Sequence, residues 1–530
     1  MTTTDPQTHT SRLFTLIGAV AIVGLISGCA SLAPQALTAD ALQQGASADR
    51  LKAQVNVAPI QGPLTLDEAI ARALKFNLER RVKLIEESIA LGQYDAGLYD
   101  MLPKLLAQAG AKTRSTNLVS RSTDSVTGAP SLANPFISSD RTSGFTDLGL
   151  TWSLLDFGTG YLNAKHNGDR ILIAAERRRK AMHTLMQDVR TAFWRAASAQ
   201  RLDEDVRSAI ALAEEALSDS AKAGVERERS PLDNLRYQRQ VTENLRLLES
   251  AQQELSTAKT ELALLINAPL ATKLQLTEPA NGLTSKVLDL PVANLEEVAV
   301  AKNADLREQF YNVRIATEET RKVMTRLFPN LSFNYNIKYD NNSYLINQNW
   351  NEAGLTMSFN LFNLLSAPTQ MALSKAGVAL ADQRRIATQM SMLAQVHIAR
   401  IQYANALLQL KRAESIASID ARIGVITSSR ADAQVQSKLD AVANRATSIL
   451  SLMRRYQALA QAHSAASKLQ ATLGLEPEFD SLANLDLAQL TKVVRDAGQE
   501  WDSGRMPALP QPTPVKGAAV PAPIRTAAAN

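Results

Sequence analysis

Four short stretches of the chain alternate apolar and polar residues with a period of two, which is typical of strands with one wet face. The clearest is residues 332–340, where Phe, Tyr, Ile and Tyr alternate with polar residues. Polar loops at about 115–144 and 341–351 separate the stretches into two pairs. The pattern predicts strands at about 104–114, 146–156, 331–340 and 353–362.

The rest of the chain has the composition of long helices. Neither glycine nor proline occurs between Asp169 and Ala223 or between Val378 and Ile423. With its flanks, each predicted helix has about 65 residues and a length of roughly 100 Å, which favours a coiled coil over a globular core. Shorter helices are predicted around them, at about 66–101, 231–266, 295–327 and 439–473.

The predicted elements occur twice, because the sequence contains an internal duplication. "GLTWSLLDF" (149–157) and "GLTMSFNLF" (354–362) share Gly, Leu, Thr, Ser and the final Phe in register. Other pairs follow in the same order: "MLPKL" (101–105) with "LFPNL" (327–331), "SPLD" (230–233) with "SKLD" (437–440), and "INAP" (266–269) with "GLEP" (474–477). The duplication predicts two repeats, at 64–280 and 281–480.

The strands are amphipathic but few. Four strands in this length are too few for a soluble sandwich, and about eight are needed to close a barrel. We therefore expect a mainly α fold whose small membrane β part is completed by strands of other chains. One face of the return strands is predicted to be apolar (Leu150, Trp152, Leu154, Leu355, Met357, Phe359, Leu361). The other is predicted to line a water-filled lumen (Thr151, Ser153, Asn334, Asn336, Thr356, Ser358).

Composition argues against several classes of function. The net charge of +5 is spread along the chain, so nucleic acid is not an expected partner. The 5 histidines are not spaced as a metal site, and no phosphate-binding loop, nucleophile–base pair or carboxylate pair stands out. We expect neither an enzyme nor a cofactor.

The chain has a single cysteine, Cys29, and its position indicates where the protein is targeted. An apolar run at 13–26 leads to Ile-Ser-Gly-Cys, which resembles the lipobox of bacterial lipoproteins. We predict a signal peptide at 1–28 and a lipidated linker at 29–63, although an ordinary signal peptide with an incidental cysteine is the alternative. Ala30 favours the outer membrane by resemblance to the sorting rule. At the other end, 481–530 is a C-terminal segment, Pro/Ala-rich and disordered from about 503.

Over about 64–480, these motifs in this order resemble the TolC-type outer membrane factors. The resemblance implies a homotrimer in which a 12-stranded β-barrel continues into a 12-helix α-barrel. It implies passive conduction in a tripartite efflux system, with a periplasmic adaptor and an inner-membrane pump. The lipobox resembles the lipid-anchored branch, which favours a pump of the resistance–nodulation–division type, although an ABC type is possible. The expected location is the outer membrane, with a periplasmic extension.

The resemblance also implies roles for three residues at the helical tips. Asp440, in "SKLDAVAN", occupies the place of an aspartate ring that narrows the family's pore; the second position of that motif is Ala443 here. Asp233 is its counterpart in the first repeat, and Gly224 resembles the glycine that docks the adaptor, so both are candidate contacts of the helical tip with the adaptor. For both aspartates, a structural role in the first turn of a helix is the alternative.

Two other functions remain open from the sequence. A type I protein secretion channel has the same architecture, because the pump selects the cargo. A lipid-anchored periplasmic coiled-coil adaptor or scaffold would also have long helices, but it would not need two strand pairs.

Overall fold

The computed structural model describes residues 36–130, 135–225, 231–270, 272–277, 283–433, 438–475 and 485–506. The chain divides into two compact units, residues 1–58 and 59–530. In the first unit, helix α1 (Ala39–Gln54) has no buried residue, and the Thr38 side chain caps its start. The predicted linker at 29–63 therefore contains a helix. The predicted signal peptide, Cys29 and residues 507–530 of the predicted disordered tail lie outside the described residues.

Long and short helices alternate along the second unit. They are α2 (Leu66–Phe76), α3 (Leu78–Leu98), α4 (Leu154–Val225), α5 (Pro231–Leu265), α6 (Val292–Lys302), α7 (Ala304–Thr325), α8 (Phe362–Asp432), α9 (Lys438–Leu473) and α10 (Leu487–Ser503). With 72 and 71 residues, α4 and α8 are longer than predicted, because each begins at or close to the end of a strand. Among the described residues, no helix is both long and apolar enough to cross a membrane.

Each predicted helix before a strand pair is broken in two at an asparagine. Asn77 separates α2 from α3, and Asn303 separates α6 from α7. Each Asn accepts a hydrogen bond from a backbone N–H three residues on, and donates its amide to a carbonyl near the end of α5 or α9 (Leu265 and Thr472). Both side chains are buried. The prediction of one unbroken helix was wrong in both places, because this tertiary hydrogen bond and the cap favour a break.

Helices α5 and α9 also end in the same way. A residue just beyond each helix end has a positive φ: Asn267 (53°), two residues after α5, and Gly474 (68°), directly after α9. The next N–H donates to a carbonyl five residues back, from Ala268 to Ala263 and from Leu475 to Gln470. This is the Schellman type of helix end, which favours Gly or Asn in the left-handed position. The two helix ends are structurally equivalent, but Asn267 corresponds to Gly474, so the predicted pairing of "INAP" with "GLEP" is displaced by one residue.

The C-terminal helix α10 was not predicted. Asp486 and Gln489 form a capping box at its start, and Gly504 (φ 73°) ends it in the left-handed conformation. Leu490 and Val494 are buried, and the helix packs against α2. The capping box and the pair of apolar residues four positions apart could have been recognised in the sequence. They were overlooked because they lie next to the Pro/Ala-rich tail.

Four strands form one antiparallel sheet, and two short strands form a separate hairpin. In chain order they are β1 (Lys104–Thr113), β2 (Val119–Ser120), β3 (Phe136–Ile137), β4 (Thr142–Ser153), β5 (Asn330–Asp340) and β6 (Asn349–Ser358). The order in the sheet is β1-β4-β5-β6. The hairpin of β2 and β3 lies in the predicted loop between β1 and β4.

Both return strands lie nearer the N-terminus than predicted. Strands β4 and β6 begin at Thr142 and Asn349, and they end at Ser153 and Ser358. Leu154 is therefore the first residue of a helix, and Leu361 lies beyond β6. The predicted apolar alternation was wrong at these two positions and at Phe359. The additional residues at the start of β4 pair with β1, and those at the start of β6 pair with β5. The two loops between the paired strands are therefore shorter than predicted.

The helices form a layer in which α4 is central. It packs against α3 and α7 over one part of its length and against α5 and α9 over another, while α8 packs against α7 and α9. One hydrophobic cluster joins α2, α4, α5 and α10, and a second joins α6, α7, α8 and α9. The predicted small residues on α4 are buried in this packing (Ala192, Ala196, Ala197, Ala199).

An aromatic contact links α4 of the first repeat to α9 of the second. The rings of Trp194 and His463 stack with their centroids 4.0 Å apart and an angle of 13° between the planes. Burial, aided by the nearby charge of Arg190, lowers the pKa of His463 to about 3. Burial likewise lowers the pKa of His183 on α4 to about 4. Both side chains are therefore neutral near pH 7.

Replacing Asn77 by Ala should lower the free energy of unfolding by about 2 kcal/mol, because it removes a helix cap and a buried hydrogen bond. Asn303→Ala should have a similar effect, since its contacts are equivalent. Denaturant unfolding in detergent measures the change. Asn77→Ser keeps a cap acceptor and should fall between Asn77→Ala and the native chain. Equal stability of all three would contradict the role of the asparagine.

Acidification should destabilise the folded chain partly through His463. An unfolded histidine has a pKa near 6.5, so between pH 6.5 and 4.5 the unfolded state binds the extra proton and stability falls with falling pH. The contribution of His463 is present above about pH 6.5 and should decline by about 2 kcal/mol at pH 4.5. His463→Phe keeps a ring against Trp194 but cannot titrate. Unfolding curves at both pH values should therefore show a smaller acid loss for the variant, and an equal loss would refute the assignment.

Candidate functional site

The six polar residues predicted to line a lumen lie on one face of the sheet. Residues paired across neighbouring strands project to the same face. Thr151 pairs with Asn334, and Asn336 pairs with Gly149. Asn334 in turn pairs with Gly354, two residues from Thr356. The register therefore brings both repeats' polar positions together (Thr151, Ser153, Asn334, Asn336, Thr356, Ser358).

The glycines of the duplicated nine-residue stretch make room on this face for asparagine side chains. A Cβ at Gly149 would lie 2.5 Å from Oδ1 of Asn336, and a Cβ at Gly354 would lie 2.9 Å from Nδ2 of Asn334. Real Cβ atoms essentially never show contacts this short. The two copies of the stretch thus flank β5 and accommodate an amide from each side.

The opposite face of the sheet is apolar and uncovered in the single chain. Its side chains are between 36% and 70% exposed: Leu105, Leu148, Trp152, Phe333, Tyr335, Ile337, Leu355 and Met357. Along β5, exposed apolar residues alternate strictly with half-buried polar ones. A contiguous apolar surface of this kind marks a contact with lipid or with another protein. The polar face is less uniform than predicted, since Leu106, Phe145 and Trp350 also project there.

Ser153 connects the sheet to α4. Its hydroxyl donates to Oδ1 of Asn330 at 2.8 Å, and it accepts from the N–H of Asp156 at 3.1 Å. The same Asn330 oxygen accepts from the N–H of Leu155. The side chain of Ser153 is 7% exposed, so within the single chain it caps the helix start. Sequence reasoning missed this role, because Asn330 is distant along the chain.

The tip residues fall at equivalent places in the two helical hairpins. Gly224 is the penultimate residue of α4, and the turn that follows (226–230) lies outside the described residues. Asp233 and Asp440 are each the third residue of a helix, α5 and α9. Both positions are near a helix N-terminus, where a carboxylate is stabilised by the helix dipole. The structure describes the backbone of Asp233 and Asp440 but not their side chains.

A cavity of about 450 Å³ lies between α2, α4, α9 and α10, beside the stacked rings of Trp194 and His463. The indole N–H of Trp194 has no hydrogen-bond partner there among the described residues. Burial raises the pKa of Asp502, which also lines the cavity, and the charge of Arg190 offsets part of that effect. Sequence analysis missed this cavity, because its residues share no local spacing. Across the described residues, no group of His, Cys, Asp and Glu is arranged to hold a metal ion.

Several solved structures of membrane proteins, among them outer-membrane channels, are similar to this chain. The Campylobacter jejuni CmeC outer membrane channel aligns with 82% of this chain and 89% of its own, at 13% identity and a TM-score of 0.63. A membrane protein from Pseudomonas aeruginosa aligns with 77% of this chain and 90% of its own, at 16% identity and a TM-score of 0.61. The open state of the Neisseria gonorrhoeae MtrE outer membrane channel aligns with 77% and 88%, at 16% identity and a TM-score of 0.57.

No family model and no curated protein matches the sequence. The likeness is therefore one of structure, and it covers more than three quarters of the chain. The duplicated strand pairs and long helices indicated the same architecture. The fold of this chain is that of the TolC-type outer membrane factors.

Proposed function

We propose that this protein is the outer-membrane channel of a tripartite efflux system and works as a homotrimer. In this proposal it conducts substrates passively, and an inner-membrane pump and a periplasmic adaptor deliver them. The observation that carries the proposal is the four-stranded sheet. It has one polar face, one exposed apolar face and two open edges, and it continues directly into helices of more than 70 residues.

The open edges of the sheet support a trimer. Among the residues that the structure describes, β1 and β6 each have only one neighbouring strand. In lipid, each unpaired backbone group would cost several kcal/mol, so an open four-stranded sheet cannot stand alone there. Three copies joined edge to edge supply twelve strands, which is within the range that closes around an aqueous lumen. The polar face then turns towards water and the apolar face towards lipid.

The outer helices carry apolar surface where such copies would meet. The helices nearest the sheet lie in the order α3, α4, α7, α8, so α3 and α8 are at the two ends. Exposed apolar residues recur on α3 at spacings of four and three (Leu78, Val82, Ile85, Ile89). Exposed apolar residues also follow α8 (Leu373, Leu380, Ile398, Ile401, Leu408). Spacing of this kind is typical of a coiled-coil seam.

The length of the helices supports a periplasmic tunnel. At 1.5 Å per residue, α4 and α8 each extend roughly 100 Å. In this proposal, Asp440 forms a ring that narrows the far end of the tunnel, Asp233 lies near it, and Gly224 contacts the adaptor. The chain is anchored to the outer membrane by acyl chains on Cys29, which add to the hold of the barrel. The favoured pump is of the resistance–nodulation–division type.

A type I secretion channel would use the same trimer with a different pump. Deletion of the gene separates the two, since loss of efflux raises sensitivity to small toxic compounds. Loss of secretion would instead remove a protein from the culture medium. The two-faced sheet argues against the coiled-coil adaptor, because a periplasmic adaptor does not require an exposed apolar sheet face.

Recordings from the purified full-length protein in planar bilayers should show a pore of low conductance. Asp440→Ala should raise the closed-state conductance severalfold, because it removes a ring of charge and bulk from the narrowest point. Asp496→Ala, on the exposed surface of α10, is the matched control and should leave conductance unchanged. Absence of any pore would overturn the channel, whereas a pore unaffected by Asp440→Ala would remove only the gate.

Ile85→Lys should dissociate the trimer, because it buries an unpaired charge in the proposed α3 seam. Size-exclusion chromatography with light scattering in detergent should then report single chains. Val493→Lys makes a similar change at an exposed apolar residue of α10 and should leave the trimer intact. If both variants remain trimeric, the α3 surface is not the interface between copies.

A further inference from the structure

Three charged side chains lie close together in the middle of the polar sheet face. Asp147 on β4 is the register partner of Lys338 on β5. The ammonium group of Lys338 is 2.8 Å from Oε2 of Glu352 on β6. We call Asp147, Lys338 and Glu352 the mid-sheet triad. Its cross-strand neighbours on this face, Gln108 and Asn336, are neutral, whereas Asp340, two residues from Lys338 on β5, adds another carboxylate.

The triad has one more negative charge than positive. Lys338 is engaged by Glu352, as the short distance between them shows. Oδ1 of Asp147 is shielded from solvent and has no hydrogen-bond partner among the described residues. A shielded carboxylate oxygen without a hydrogen-bond partner lowers the stability of the fold. Sheet stability alone therefore does not explain the presence of Asp147. Lys338 lies beside both carboxylates but carries only one positive charge, so one negative charge of the triad remains unbalanced.

The other charges on this face lie towards the two ends of the sheet, and their signs sum to zero. Lys104, at the helical end, is 3.0 Å from Asp156 at the start of α4. Lys112 and Asp340 lie at the loop end and have opposite signs. Lys104 and Lys112 are each four residues along β1 from Gln108, or roughly 13 Å at 3.3 Å per residue. That distance exceeds the Debye length of about 10 Å at 0.1 M salt.

We infer that the mid-sheet triad sets the ionic selectivity of the pore and favours cations. This rests on the proposed function, because the triad faces a lumen only if the trimer forms. Three copies would then place three net negative charges at one height around the lumen. Charged walls of one sign concentrate the oppositely charged ions. The candidate gate at Asp440 belongs to the far end of the helices, so the two effects can be separated.

The test is the reversal potential of the full-length protein across a planar bilayer with a KCl gradient. Asp147→Asn should lower the ratio of potassium to chloride permeability roughly two- to fivefold, because three charges leave the lumen. Lys338→Gln should raise the same ratio, since it removes the compensating cation. Asp496→Asn, which removes the same charge from α10, should leave the ratio unchanged. In 1 M KCl the differences should shrink, because the Debye length falls to about 3 Å.

Each outcome is decisive. If no pore forms, the proposed function fails before selectivity is reached. If pores form but Asp147→Asn has native selectivity, the triad has no such role. If Asp147→Asn and Lys338→Gln shift the ratio in the same direction, the change is one of lumen shape, and the inference is overturned. Opposite shifts in functional pores would support it, because charge is the property in which these two changes differ in sign.

Discussion

The pairing of β4 with β5 is the constraint on which the rest of the fold depends. These strands are adjacent in the sheet, but more than 170 residues separate them along the chain. The chain leaves the sheet along α4 and must come back to the same edge. Helices α5, α6 and α7 together cover about the same length as α4, since every helical residue advances the chain by 1.5 Å. The length of the outgoing helix therefore fixes the combined length of the returning ones.

The returning segment consists of several shorter helices. One unbroken helix alongside α4 would leave no separate helix to pack into the hydrophobic clusters. The breaks at Asn77 and Asn303 place α2 and α6 in the two main hydrophobic clusters, while α3 and α7 continue towards the sheet. The asparagine amides tie these breaks to the ends of α5 and α9. In each repeat, one asparagine side chain thus connects the helix break to the end of a later helix of the same repeat. The repeats are then joined by the sheet and by the contacts between α4 and α9, including the ring stack of Trp194 and His463.

Periodicity predicted the parts of this structure that local chemistry controls. The alternation at 332–340 located β5 to within two residues, and the runs without Gly or Pro located α4 and α8. It could not locate the helix breaks, because Asn77 and Asn303 act through carbonyls about 170 to 190 residues away. The strand ends were missed for a similar reason, since Asn330 determines where β4 becomes α4. Alternation separated polar from apolar positions within each strand, but the register that brings the six polar residues to one sheet face depends on pairing between strands distant in the chain.

The two glycines of the duplicated stretch have a consequence for how this sequence can vary. Gly149 and Asn336 share one small volume across β4 and β5, and Gly354 and Asn334 share another across β5 and β6. A larger residue at either glycine would force the side chain of the facing asparagine to move away from its present position. The two positions of each pair are therefore sterically coupled, so a substitution at a glycine of one strand would disturb the polar sheet face at an asparagine of the next.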